Sequence, residues 1–218
     1  MSDRTFRVPP IVALGVGVLL WYLPTYGRPI AEAVASTYAG RFVAELVLRW
    51  VALALLLVFV FAVERRPAGS VGIRSFRWTH VLVTIGLSIV TVVVSYGIYF
   101  ELQGDQVDES TQTGQIITSL PFIQLVHLVV NAAVVEEFFY RGFLIERLVD
   151  LTKRPWIAGA ISYLLFVGGH IPGSGLTATL ALSGIATLTF VGLYLWRRSI
   201  WLPVLAHAIC DAPILLAG

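Results

Sequence analysis

Long apolar runs, each closed by a short cluster of polar, glycine or proline residues, set the rhythm of this chain. Seven recur, at about Val8 to Pro24, Phe42 to Val63, His80 to Tyr99, Ser119 to Asp150, Pro155 to His170, Leu176 to Trp196 and Ile200 to Ala217. A helix rising 1.5 Å per residue needs roughly 17–25 such residues to cross ~30 Å of hydrocarbon. Because backbone groups inside a bilayer must be satisfied within their own segment, helices are the expected form. The pattern therefore predicts an all-α fold, a polytopic transmembrane helix bundle of about seven spans. The fourth run is too long to be only a span, and its tail, with Glu146, Arg147 and Asp150, reads as an interfacial extension.

The first run follows Arg4 and Arg7 and has the charge order of a signal peptide, with a cleavage-like Ala33-Val34-Ala35 beyond it. That site lies well past the apolar stretch, and Trp21, Tyr22 and Tyr26 are placed like interfacial anchors, so a span is expected instead. Residues 28–41 read as a short polar connection. Loop charges test the arrangement. Alternate connections sort Arg4, Arg7, Arg65, Arg66, Arg74, Arg77, Arg147, Lys153, Arg154, Arg197 and Arg198 to one side, and leave only Arg28 and Arg41 on the other. By the positive-inside rule the N-terminus is cytoplasmic and the C-terminus outside. The stretch with Glu101, Asp105, Asp108 and Glu109 carries no lysine or arginine and falls on the outer side.

Composition agrees. Of 218 residues 57% are hydrophobic and 13% charged, against roughly 25% charged in soluble domains, and the mean hydropathy is +0.84. The net charge of +2 is not gathered into a basic stripe, so no nucleic-acid partner is expected. The single cysteine, Cys210, excludes an intrachain disulfide and reads as structural.

Ionisable groups inside the apolar runs change the picture most. Glu136-Glu137-Phe138-Phe139-Tyr140-Arg141 puts three of them in the fourth run. A charge at the bilayer centre costs at least ~2.5–3.5 kcal/mol, so each one raises a functional hypothesis. Glu137 and Arg141 are four residues apart with the acid N-terminal, the favourable order for a helical pair. Glu136 points about 100° away and is not answered by that arginine, which leaves it for chemistry. Arg49, near one end of the second run, reads as a snorkelling side chain. Gln124, His127 and Asn131 read as interhelical hydrogen-bonding residues on a face turned away from Glu136, and Thr179, Ser183 and Thr187 as small-residue packing.

Two histidines complete the set. His170 ends Phe166-Val167-Gly168-Gly169-His170, and His207 stands one helical turn before Asp211, so the carboxylate can hold the imidazole or share its cavity. Measured along the helices, Glu136 lies ~16 Å from Arg147, His207 ~10–12 Å from Ile200 and His170 ~22 Å from Pro155. The greater depth of His170 asks either for a helix that starts outside the hydrocarbon or for a bend at Gly168-Gly169. Amide hydrolysis needs a base for water, an acid for the leaving nitrogen and donors for the oxyanion, and Glu136, His170 and His207 supply those types.

Glu-Glu-x-x-x-Arg at 136–141, Phe-x-x-x-His at 166–170 and His-x-x-x-Asp at 207–211, in that order on separate apolar helices, resemble the CPBP family. That family comprises the type II CAAX prenyl endopeptidases and the bacteriocin-processing or immunity-type intramembrane proteases. The resemblance covers residues 119–217. It implies a helical membrane core, an active site open to the cytoplasm, and peptide-bond hydrolysis without an acyl-enzyme. Carried over, Glu136 with His170 activates water, and His207 with residue 211 stabilises the oxyanion. Position 211 is Asp where the type II endopeptidases commonly carry Asn. An ionised Asp donates no hydrogen bond, so here it is either protonated or orients His207.

The expected site is thus Glu136, Glu137, Arg141, His170, His207 and Asp211, in one integral membrane domain over 1–218 with N-terminal helices over 1–118 and catalytic helices over 119–218. No cofactor is expected. Two alternatives stay open: a zinc-dependent membrane protease whose ligands are His170, His207 and a carboxylate, and a non-catalytic membrane scaffold or immunity protein. The expected partners are a peptide or protein substrate, lipidated or not, and membrane lipid, and the expected location is a prokaryotic cell membrane.

Overall fold

A computed structural model describes residues 8–104 and 109–216, which are helical throughout with no strand among them. Arg4, Arg7, Asp105, Asp108 and Ala217 lie outside the described residues. In chain order the main helices are α1 (Pro10–Trp21), α2 (Arg28–Val34), α3 (Tyr38–Val63), α4 (Trp78–Gln103), α5 (Gln112–Ser119), α6 (Phe122–Thr152), α7 (Pro155–Ser174), α8 (Leu176–Arg197) and α9 (Trp201–Leu216). The first connection is thus partly helical, as α2, where a polar link over 28–41 is expected.

Five helices, α3, α4, α6, α7 and α8, are long and apolar enough to cross a membrane, and the chain is an integral membrane protein. The first and last apolar runs make shorter helices than the seven-span expectation. Proline explains both. Pro24 follows the end of α1, and Pro213 lies in the 3₁₀ turn Ala212–Leu216 that finishes α9; a residue without an N–H cannot continue the i→i−4 ladder.

The bundle is organised around α6. In its most apolar window 56% of residues are buried, against 22–39% for the other four long helices. Every residue from Phe138 to Ile145 is buried. Two stretches of α6, Ala132–Glu136 and Phe138–Ile145, are π-helical, a local widening often found at functional sites. Helix α1 approaches α6 so closely that a side-chain carbon at Gly17 would sit 2.1 Å from the Phe143 ring. Helix α7 runs unbroken from Pro155 through Gly168-Gly169 to Ser174, so the glycine pair does not interrupt it. Helix α4 packs on α8 and α9. The hydroxyls of Thr84 and Ser88 donate to carbonyls one turn back, each at 2.8 Å, while the Thr91 and Thr189 hydroxyls join α4 to α8 at 2.7 Å.

The basic connection after α3 folds back beneath α6 rather than standing free. Ile200 N donates to Gly72 O at 2.7 Å, and Gly72 takes a φ of +75° that favours glycine. Arg147, expected in an interfacial extension, is 0% exposed. Its guanidinium forks onto the Glu64 carboxylate and donates to Ser70 O at 2.8 Å, above the Phe143 ring. An arginine can be this deep because its planar fork finds a bidentate partner on the neighbouring segment. A methyl at Gly142 would lie 2.7 Å from Val71 O. Gly142→Ala is therefore expected to force this connection off α6 at a cost of about 1–3 kcal/mol, read as a lowered melting temperature of the purified protein in detergent. An unchanged melting curve would show that the contact gives way freely.

Candidate active site

Glu136 projects from the first π-helical stretch of α6 and is 7% exposed. Its Oε1 accepts from Arg49 Nη1 at 3.0 Å, and its Oε2 stands 3.8 Å from His170 Nε2. The other imidazole nitrogen, Nδ1, is 2.8 Å from Phe166 O. A carbonyl only accepts, so Nδ1 carries a proton toward it, and Nε2 is the nitrogen that faces Glu136. The ring also stacks on Phe166, with centroids 4.4 Å apart. The Phe-x-x-x-His spacing has a local cause: one helical turn supplies both the carbonyl that sets the tautomer and the ring face that sets the plane.

A second group lies behind the first. Glu137 is 0% exposed, and its Oε1 is 2.9 Å from both Arg141 Nη1 and His207 Nδ1. His207 Nε2 is 3.3 Å from Asp211 Oδ2, one turn along α9. Arg141, also 0% exposed, lies 4.5 Å from the Phe166 centroid and 5.4 Å from that of Phe190. Phe190 in turn stacks on His207 at 4.7 Å. Both imidazoles are thus held by rings that flank the same guanidinium, an arrangement that offsets part of its desolvation. The Glu137–Arg141 pair expected from the spacing is present. Glu137 also holds His207, a link that comes from another helix.

Arg49 and Glu136 correct the expectations. Arg49 does not snorkel, and Glu136 does not stand alone. Arg49 lies about 16 Å along the helix from Tyr38 and about 21 Å from Val63, well inside the apolar helix. It turns inward to Glu136 with 37% of its side chain exposed. The charge inside an apolar run was the signal for this residue, since an ionisable group there asks for a partner. The same π turn overturns the face assigned to the amide and imidazole residues. Asn131 Nδ2 donates to Leu46 O at 3.1 Å, and Trp50 Nε1 donates to His127 Nε2 at 3.1 Å. Both therefore meet α3, as Glu136 does. On a regular helix Glu136 would lie roughly 140° from Asn131. An i→i+5 turn puts an extra residue into the revolution and brings both to one side. Gln124 Oε1 finds no hydrogen-bond partner among the described residues. Cys210 packs with Phe190, Leu202 and Ala206 in an apolar cluster.

A zinc site built on His170, His207 and a carboxylate does not fit this arrangement. Each ring nitrogen of His207 faces a carboxylate, Glu137 on one side and Asp211 on the other. Among the described residues no three His, Cys, Asp or Glu side chains converge as a ligand set.

The Arg49–Glu136 contact predicts energetic coupling. Arg49→Leu is expected to lower stability by about 1.5–3 kcal/mol, the usual worth of a hydrogen bond to a charged group. It is expected to cost much less in a Glu136→Gln background. A double-mutant cycle by thermal unfolding measures the difference, and additive effects would mean that the two side chains do not interact.

Residues 118–213 match the family model described as type II CAAX prenyl endopeptidase Rce1-like. No curated protein and no solved structure matches the chain. The matched segment holds Glu136, Glu137, Arg141, His170, His207 and Asp211 and leaves out Arg49. Through these helices the chain is similar to the type II CAAX prenyl endopeptidases, a family of proteases.

Proposed function

We propose that this protein is an intramembrane endopeptidase of glutamic type that hydrolyses peptide bonds with a water held between Glu136 and His170. One observation carries the reading: Glu136 Oε2 and His170 Nε2 face each other across 3.8 Å. That gap is too wide for a direct hydrogen bond and suits a molecule hydrogen-bonded to both. Glu136 takes a proton from this water as its oxygen attacks the carbonyl carbon. The proton then passes to the amide nitrogen as the C–N bond breaks, leaving a carboxylate and a free amine. Arg49, on the exposed side of Glu136, holds the carboxylate in place. Glu137 and Asp211 hold His207 in the resting site, and Nε2 turns from Asp211 to the oxyanion as that charge develops.

The same reading has seven spans with a cytoplasmic N-terminus, the shorter α1 and α9 being met by local thinning of the bilayer. The N-terminal helices over 1–118 support a catalytic unit over 119–218, in a prokaryotic cell membrane. The likeness to these proteases supports a peptide or protein substrate, lipidated or not, and the crowding of His207 supports a mechanism without metal. The test is cleavage of C-terminal peptides, with and without a prenylated cysteine, by the purified protein before and after treatment with a strong chelator. Cleavage that survives the chelator is expected. Loss on chelation with recovery on added zinc would replace the metal-free mechanism, and no cleavage of any peptide would favour a scaffold.

A further inference from the structure

We propose that the seam between α4 and α8 binds one anionic phospholipid of the surrounding bilayer, with an acyl chain in the seam and the phosphate between Arg77 and Arg197. The inference stands apart from the catalytic reading. The two helices run antiparallel, and their ends meet where the His80 ring lies edge-on to Trp196, with centroids 5.1 Å apart. Next to this contact an open groove of about 410 Å³ runs along the seam, lined by Val83 and Leu87 of α4 and by Leu188, Gly192 and Trp196 of α8. From Leu188 to Trp196 it extends about 12 Å. Its middle is open because Gly192 has no side chain, and a carbon added there would meet nothing within 4 Å.

The chemistry along the groove runs in one order. The apolar stretch comes first, then the aromatic level of Trp196, then two cations. Arg77 and Arg197 are exposed and both lie within electrostatic range of His80. Neither forms an ion pair with a described carboxylate. Nearby Arg198 is answered by Glu146, and Arg66 by Glu64 and Asp150. Trp78, 81% exposed at the same end, marks the level of an interfacial anchor. A glycerophospholipid presents the complementary order of chain, ester and phosphate, and basic pockets between spans are where anionic headgroups bind. A peptide is a poor occupant. The hydroxyl of Thr189, the groove's polar side chain, is already engaged with Thr91 at 2.7 Å, so a peptide backbone would lie there with its polar groups unsatisfied.

The experiment is native mass spectrometry of the full chain in detergent, with equal amounts of dioleoylphosphatidylglycerol and dioleoylphosphatidylcholine. One phosphatidylglycerol is expected to be retained in preference. Arg77→Gln and Arg197→Gln should each reduce that preference about fivefold. Gly192→Phe should fill the groove and reduce retention severalfold with both arginines in place. Equal retention of the two lipids by the unaltered protein would overturn the proposal. A preference that survives both arginine changes, or one untouched by Gly192→Phe, would overturn it too.

Discussion

Glu136→Gln is expected to lower peptide cleavage by about 10²–10⁴-fold, the range supplied by a positioned general base, while leaving the fold intact. The two halves of this expectation have separate causes. The amide keeps the shape of the carboxyl group and an oxygen that accepts from Arg49, but it takes no proton from water at working pH. Stability should fall by no more than the roughly 1.5–3 kcal/mol of the Arg49 contact, because the amide fills the same space and accepts from Arg49 more weakly than a carboxylate does. The check pairs initial rates on a fluorogenic C-terminal peptide with melting curves for both proteins. A folded variant that kept more than about a tenth of the activity, far above the range for a lost base, would remove Glu136 from the chemistry.

Glu137→Gln is expected to fail the opposite way, by losing the fold. Arg141 is fully buried, and none of its three nitrogens has an aligned hydrogen-bond acceptor among the described residues. Its compensation is the nearby charge of Glu137 and the faces of Phe166 and Phe190. Removing one partner of a buried pair costs about 3–5 kcal/mol because the other charge stays uncompensated. That is a large share of the roughly 5–15 kcal/mol that holds a typical domain together. The same change weakens the hydrogen bond to His207 Nδ1, through which α9 is tied to α6. Thermal unfolding should show the loss directly. Removing both charges with Glu137→Gln and Arg141→Met should recover much of the stability. A Glu137→Gln protein that melts like the unaltered one would mean that the pair holds nothing together.

These two adjacent acids show where sequence reading succeeds and where it stops. The apolar runs located the long helices to within a few residues, because hydrocarbon demands continuous apolar stretches. The i,i+4 rule paired Glu137 with Arg141, and His207 with Asp211, because each pair shares one helix and needs only local geometry. Motif order on separate helices was enough to indicate the family. Arg49, Glu64 and the link between Glu137 and His207 were out of reach of that logic, since each joins residues 70 or more positions apart.

Local periodicity itself misled at one place. The π turns of α6 add a residue to a revolution, and a fixed 100° step turned Glu136 away from the face it shares with Asn131. The sequence by itself determined an all-helical membrane chain with its acids and imidazoles set inside the apolar runs, because solvation cost acts on each residue where it stands. Only the tertiary structure decided which charge answers which, because there a guanidinium settles on whatever carboxylate the packing of another helix brings within reach.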